Sequence, residues 1–451
     1  MTDFITQDFE PSSAAAWKQK IQFELDGADY NENLLTKTNE GITIKPFYHL
    51  DNFEKLNIPE SNSDFKICQN ITITTTNEAN KKAIDATNNG ANALKFSSTK
   101  PFNFNELFDC LLNKNIEFHL QLEFLNENFI NKISTYLKNE TIFFNIDILG
   151  KLAKTGNWYN SLDKDFKILE NIISKNSENN ILSVDVSLYQ NAGANTVQQV
   201  AYALAHANEY LTKFGGKIAN HIQFNFAIGS NYFFEISKIR AFRYLFNLVL
   251  KTYNIQVTPI IFAEPSFRNK TIYDFNVNIL RSATECMSAI LGGVNTISNF
   301  SYDHIFHNEN EFGERIARNQ LLILKEECNF KHTQFIATNS YYIESITKQI
   351  TEKALDIFKE IEASGGFLKH LKKGTIQRKI VENAKKEQQQ FYKGDIVLLG
   401  TNKYPNKQDK MKGELQKNPF LKHNPKKTLI IPIIPKRLAE KLELKRLKDE
   451  A

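Results

Sequence analysis

The chain is 451 residues long, room for three domains of ordinary size or for one α/β barrel with additions. Its 56 lysines and arginines against 51 acids leave a net charge of +5, too balanced for a nucleic-acid or membrane-surface protein unless the charge is gathered in a patch. With 41% hydrophobic and 24% charged residues and no run of eighteen apolar residues, the composition is that of a soluble globular chain, and no membrane span is expected. The start, Met1-Thr2-Asp3-Phe4, is acidic where a secretory leader is basic, so a cytoplasmic location is expected. Cys68, Cys110, Cys286 and Cys328 are widely spread and form no Cys-x-x-Cys pair, which predicts reduced, structural thiols.

In chain order, the first expected element is a short helix capped by Ser12 or Ser13, with Trp17, Ile21 and Leu25 on one stripe, followed by an extended stretch over 34–50. This arm, residues 1–60, has no core of its own and is expected to pack against something else. Residues 61–330 then alternate β-rich runs with segments of helical period. Strands are predicted at 65–74, 91–97, 116–124, 141–146, 181–187, 221–227, 255–262 and 294–300. Helices lie between them, for example 195–214, with Val197, Val200, Ala201 and Leu204 on one stripe, and 231–251. Eight such alternations predict an α/β fold, a (β/α)8 TIM barrel, with a doubly wound open sheet as the alternative. After the eighth strand come helices at 311–327 and 343–363, a Gly365-Gly366 stop, a basic helix at 374–391 and a strand-like 395–400. Residues 331–451 thus form a helical and basic extension, whose tail from 402 is rich in Lys, Asn and Pro.

Parallel barrel strands are ordinarily apolar on both faces, because helices cover the outside and packed side chains fill the inside. Here several alternate. Glu117, His119, Gln121 and Glu123 take turns with Ile116, Phe118, Leu120, Leu122 and Phe124, and His221, Gln223 and Asn225 take turns with Ile222, Phe224 and Phe226. Thr72 and Thr74 do the same beside Ile71 and Ile73. If the apolar set faces the helices, the polar set faces the axis and the lumen is polar; a few satisfied polar residues near the strand ends are the plainer reading.

No P-loop and no Gly-x-Gly-x-x-Gly is present. The nearest approach to a metal site is Asp303, His304, His307 and Glu309 after the eighth strand, where a barrel's active face lies; a solvated loop is the competing reading. Glu264 and Asp274, after the seventh strand, are candidates for acid and base, or Asp274 for a helix cap. In the tail, Lys422, Lys426, Lys427, Lys436, Arg437, Lys441, Lys445 and Arg446 are interleaved with Glu440, Glu443 and Glu450, a solvated helix face with ion-pair support in place of a nucleic-acid site.

Several strings go further. Trp17-Lys18-Gln19-Lys20-Ile21-Gln22, Leu25-Asp26-Gly27-Ala28-Asp29-Tyr30, Thr38-Asn39-Glu40-Gly41-Ile42 and Lys45-Pro46-Phe47-Tyr48 open a series. Asn191-Ala192-Gly193-Ala194, Phe233 to Ala241 (FFEISKIRA), Leu280-Arg281, Thr284-Glu285 and Gly292-Gly293 continue it. Arg315 to Gln320 (RIARNQ), Asn339 to Glu344 (NSYYIE) and Asn402-Lys403-Tyr404-Pro405 complete it. In these the chain resembles the methylmalonyl-CoA mutase family, and within it the small, β-type subunits, over nearly its whole length. The resemblance implies a (β/α)8 barrel whose lumen admits an acyl-CoA chain. In active members it also implies a cobalamin domain with an Asp-x-His-x-x-Gly motif, and an adenosylcobalamin-initiated radical interconversion of methylmalonyl-CoA and succinyl-CoA.

The sequence departs from the active pattern at each decisive place. It contains no Asp-x-His-x-x-Gly. Active members resemble Ile-Arg-Gln-Tyr in the first strand, where Ile67-Cys68-Gln69-Asn70 puts Asn70 at the tyrosine. They carry a histidine where Leu188 stands before Tyr189-Gln190-Asn191-Ala192-Gly193-Ala194. They carry His-Ser-Gln-Thr-Ser-Gly against Phe262-Ala263-Glu264-Pro265-Ser266-Phe267, so that Phe262 and Glu264 also mark degenerate positions. The resemblance therefore implies no catalytic, cofactor-binding or metal-binding residue in this chain. It implies a non-catalytic small subunit that pairs, as a heterodimer, with a large (alpha) mutase subunit holding the adenosylcobalamin. Trp17, Ile21 and Leu25 of the arm are expected at that interface, and neither nucleic acid nor membrane is an expected partner. The alternative is a substrate-binding barrel that works with a separately encoded cobalamin-binding subunit. The long polar side chains of the alternating strands are expected to close the lumen.

Overall fold

A computed structural model describes residues 11–59, 64–332, 336–420 and 427–450. After a two-stranded antiparallel ribbon, β1 (Thr36–Lys37) against β2 (Thr43–Ile44), eight parallel strands close into a barrel. They are β3 (Lys66–Thr72), β4 (Ala93–Ser98), β5 (Glu117–Leu122), β6 (Thr141–Ile146), β7 (Asn180–Asp185), β8 (Ile222–Ile228), β9 (Ile260–Pro265) and β10 (Thr296–Ser298). β10 pairs with both β9 and β3, which completes the ring and excludes the open sheet. All eight expected strands are present. β9 starts later than expected because Pro259 has no N–H to give to the ladder, and its carbonyl accepts from Arg243 instead.

The two faces of the strands are chemically distinct. Ile67, Leu94, Phe96, Phe118, Leu120, Ile142, Phe144, Leu182, Val184, Phe224, Phe226, Ile261 and Ile297 belong to the main apolar core, together with the surrounding helices. Cys68, Ala93 and Phe262, of the opposite parity, form a separate small cluster on the axis. The helices start where capping side chains satisfy the first N–H groups: Thr75, Asn126, Asp147, Ser161 and Asn195 each accept a backbone hydrogen bond, Asn195 within a capping box closed by Gln198. No helix among the described residues is long and apolar enough to cross a membrane.

The arm is less extended than its sequence suggests. The helix Ala14–Glu24, capped by Ser13, is followed by a second helix Tyr30–Leu34, the ribbon and a 3-10 turn Leu50–Asn52. From the ribbon onward it is tied to its own chain: Tyr48 packs on Tyr342 at 5.2 Å, Phe53 on Tyr341 at 4.9 Å, and Asn39 donates to Gln390. Helix Ala14–Glu24 buries no residue at all.

Two expectations for the C-terminal extension are corrected. Residues 395–400 form no strand beyond a single bridge, Leu399 to Lys403. The side chain of Asn402 takes the backbone partners a strand would need, accepting from Leu398 N–H and donating to the carbonyls of Phe391 and Ile396. The last helix, Glu440–Asp449, is not a solvated face. Glu440 and Glu443 are buried, with Glu443 paired to Arg437 at 2.7 Å and accepting from Ile272 N–H at 2.9 Å, while Glu450 accepts from the Tyr273 hydroxyl. Lys422 and Lys426 lie outside the described residues.

The tail straps the carboxyl ends of the strands, the end where barrels place their active sites. Ile433, Lys436 and Leu438 donate their N–H groups to the carbonyls of Ala153, Asn191 and Arg268, which follow β6, β7 and β9. Gly156, at φ +75°, lets the strap pass: a Cβ there would stand 2.6 Å from the Ile430 carbonyl.

Candidate functional site

The barrel axis is the place to look for chemistry, and it is filled by strand side chains of one parity. Lys95 of β4 donates to Glu264 of β9 at 2.9 Å and lies 4.9 Å over the ring of Phe262. His119 of β5 stacks flat on Phe143 of β6, 4.5 Å between centroids, and meets Phe262 on its other side at 5.1 Å. Glu117 accepts from the Thr296 hydroxyl and stands 3.6 Å from His119. Gln223 donates to both Asn145 and Asn225. Phe262 is only 1% exposed and His119 fully buried, so the lumen is polar and occupied.

Burial sets the charges in this network. Desolvation holds the His119 imidazole below its usual pKa, with Glu117 only partly opposing it, so the ring is neutral at pH 7. Burial also disfavours the Lys95 ammonium, but the Glu264 carboxylate beside it more than compensates and the net shift is upward. Burial pushes the Cys68 thiol well up, which makes it inert as a nucleophile. The Lys95 cation is thus spent on the neighbouring anion, and the His119 imidazole lies flat on Phe143 with the tilted Phe262 ring also against it. Beside them Glu123, Asp147 and Asp185 line only a small recess of about 30 Å3, too little for a substrate to meet an acid or a base.

The expected degenerate positions separate into two groups. Phe262, Glu264 and Asn70 are brought together; Asn70 is the register neighbour of Lys95, and its buried amide has no hydrogen-bond partner. Leu188 is not among them. It lies in the short helix Ser187–Asn191 after β7 and belongs to the main apolar core. Two of the polar side chains expected to fill the lumen lie elsewhere: Glu123 is held at the rim by Lys151 and Lys154, and His221 precedes β8 and bonds the Asn179 carbonyl. Lys95 went unnoticed in the sequence. A lone charged residue between Leu94 and Phe96 in a predicted strand was the available signal.

The other candidates disperse. Asp303 is buried, not solvated, and holds His307 at 3.0 Å and Asn310; His304 stacks on Phe300; Glu309 pairs with Lys82 and accepts from Thr72 N–H. Among the described residues no three metal-capable side chains come together. Asp274 is no acid–base partner for Glu264, since it sits against Gly400 and donates its N–H to Asp409. Nor does it cap a helix: Val277–Gly292 starts at Asn276 without a side-chain cap. All four cysteines are free, Cys68 and Cys286 buried, Cys110 and Cys328 exposed.

The geometry of the Asn191-Ala192-Gly193-Ala194 string has its own cause. Gly193 adopts φ +101°, and a Cβ there would stand 2.6 Å from the Cβ of Ala384 and against the Arg268 guanidinium. Asn191 meanwhile accepts from Ser266 and from Phe267 N–H, tying β7 to β9 at the mouth.

Comparison with known proteins gives the family. A family model for methylmalonyl-CoA mutase matches residues 137–429. The methylmalonyl-CoA mutase small subunit of Porphyromonas gingivalis is 33% identical over 439 residues, covering 88% of this chain and 71% of that one. The methylmalonyl-CoA mutases of Cereibacter sphaeroides and Escherichia coli are 31% and 33% identical over 272 and 252 residues. Those matches span 38% and 35% of the two relatives, so the chain corresponds to little more than a third of their length. On the closed eight-stranded barrel and on these two lines of similarity, the chain belongs to the methylmalonyl-CoA mutase family.

Proposed function

We propose that this chain is the non-catalytic small subunit of a heterodimeric, adenosylcobalamin-dependent methylmalonyl-CoA mutase. In this reading a larger partner chain binds the cofactor and interconverts methylmalonyl-CoA and succinyl-CoA, while this chain stabilises it in the cytoplasm. The observation that carries the reading is the occupied axis: Phe262, His119 and the Lys95–Glu264 pair stand where an acyl-CoA chain would have to pass. The residues at the mouth do not fit a corrin either. A flat macrocycle needs an open face, and that face is crossed by the tail, hydrogen-bonded at Ile433, Lys436 and Leu438. A substrate barrel working with a separate cobalamin-binding subunit would have to clear both obstacles.

The arm supports the partner half of the reading. Trp17 is 50% and Phe23 78% exposed on a helix that buries nothing, and aromatic side chains of this kind anchor protein interfaces. Ile21 and Leu25 are half-buried on the Trp17 stripe, while Phe23 projects away from that stripe as a second exposed ring. Residues 1–60 then act as the partner-wrapping arm, 61–330 as a mutase-like barrel, and 331–451 as C-terminal helices and a tail that straps its mouth. Co-expression tests this with a longer mutase chain carrying Asp-x-His-x-x-Gly and His-Ser-Gln-Thr-Ser-Gly. The two are expected to co-purify in equal amounts, with the longer chain losing stability when expressed alone. A longer chain that is fully stable and active by itself would count against the reading.

A further inference from the structure

The tail does not seal the mouth completely. Between residues 417–420 and 435–437 on one side and the loops after β9 and β10 on the other lies a recess of about 360 Å3, within the size range of small-molecule sites. Its charge is lopsided. Lys417 and Lys436 both line it, and their backbone N–H groups are fixed on the carbonyls of Phe306 and Asn191, yet neither ammonium has an ion-pair or hydrogen-bond partner among the described residues. Arg268 and Arg437 line it as well, each already paired, with Glu387 and Glu443 respectively. Arg437 is 5% exposed, and its Nε is buried without a partner. The one carboxylate on the wall, Glu440, accepts from the Arg437 N–H and leaves the two lysines uncompensated.

Three rings contribute to the rest of the wall, beside Ile305, Pro419 and Pro435. Phe267 and Phe420 line the recess, Phe420 lying under the Arg437 guanidinium at 5.9 Å, and His304 stacks on Phe267 at 5.7 Å. Burial, reinforced by Lys417, lowers the His304 imidazole to about 4, so it adds a neutral ring and no charge at pH 7. Cations that lack counter-ions beside flat apolar faces are the chemistry of a ligand with an anionic group and a planar ring.

We propose that this recess binds a phosphate ester carrying a flat ring, of which a nucleoside monophosphate is the simplest example. Its phosphate lies against Lys417 and Lys436 and its ring against Phe267 and Phe420. Every residue lining it belongs to this chain.

Calorimetric titration of the full chain with adenosine monophosphate, adenosine and inorganic phosphate tests the site. The monophosphate is expected to bind at least about tenfold more tightly than either of the other two. A Lys417→Ala/Lys436→Ala double variant, which leaves the backbone anchors in place, is expected to weaken it by about tenfold with an unchanged melting temperature. No binding of the monophosphate at millimolar concentration overturns the proposal, as does equal affinity for adenosine or phosphate, or an unaltered affinity in the double variant.

Discussion

The barrel axis and the N-terminal helix are opposites in how they treat their side chains. On the axis, ionisable groups are buried and the principal cation, Lys95, has its anion 2.9 Å away. On helix Ala14–Glu24 large aromatics stand in water and nothing is buried. Buried charges are retained only when paired, and exposed aromatics of this size mark a surface that gains from being covered. The difference teaches that the interior of this barrel is packed and paired while its arm leaves apolar surface uncovered, the contrast on which the proposed small-subunit role rests.

The contrast can be broken most severely from the inside. Glu264→Leu leaves the Lys95 charge buried and alone, and is expected to cost about 3–5 kcal/mol in urea unfolding. The double variant Lys95→Met/Glu264→Leu should recover most of that loss, because the buried pair is then replaced as a unit and no unpaired ammonium is left. If the single variant is neutral, the lumen admits water and the occupied-axis picture fails.

Next in size is the mouth. Gly193→Ala sets a methyl 2.6 Å from Ala384 at a φ of +101°, and about 1–3 kcal/mol of destabilisation is expected, read from the same unfolding curves. The arm should behave in the reverse way. Trp17→Ala/Phe23→Ala is expected to move the stability of the isolated chain by no more than about 0.5 kcal/mol, while weakening partner binding in a pull-down or titration by about 2 kcal/mol. A variant that unfolds the free chain would place these rings in its own core.

A further effect is read against pH. His304 is held down to about 4 in the folded chain, against 6.5 when unfolded, so the unfolded state binds the extra proton. Stability is therefore expected to fall as pH drops from 6.5 toward about 4, and His304→Gln should flatten that part of the profile. An identical slope in the variant would assign the acid sensitivity to other groups.

Much of the fold was legible in the sequence because strand and helix periods are local properties. The alternation of Phe118, Leu120 and Leu122 with Glu117, His119 and Gln121 announced both the strand and its polar inner face. What stayed hidden depended on distant partners. The tail's acids read as solvated because nothing local says that Glu443 meets Ile272 N–H, 171 positions away. Residues 395–400 read as a strand because the competing bonds come from Asn402, a single side chain further along. In the candidate site, Phe262 was visible only as a departure from a family pattern, and Glu264 as that and as an acid candidate wrongly paired with Asp274. Their partner Lys95 lies 169 residues from Glu264 and needed the closed ring to be found. Leu188, aligned with a catalytic histidine, belongs to the core because the chain turns into a short helix directly after β7.

Mutase turnover by this chain itself decides the central claim most directly. The purified chain is mixed with a free cobalamin-binding domain, adenosylcobalamin and methylmalonyl-CoA, and succinyl-CoA is measured. With the axis filled by Phe262 and the mouth strapped by the tail, no succinyl-CoA above the protein-free control is expected. Sustained turnover that depends on this chain would contradict the non-catalytic reading and restore the barrel as a substrate site.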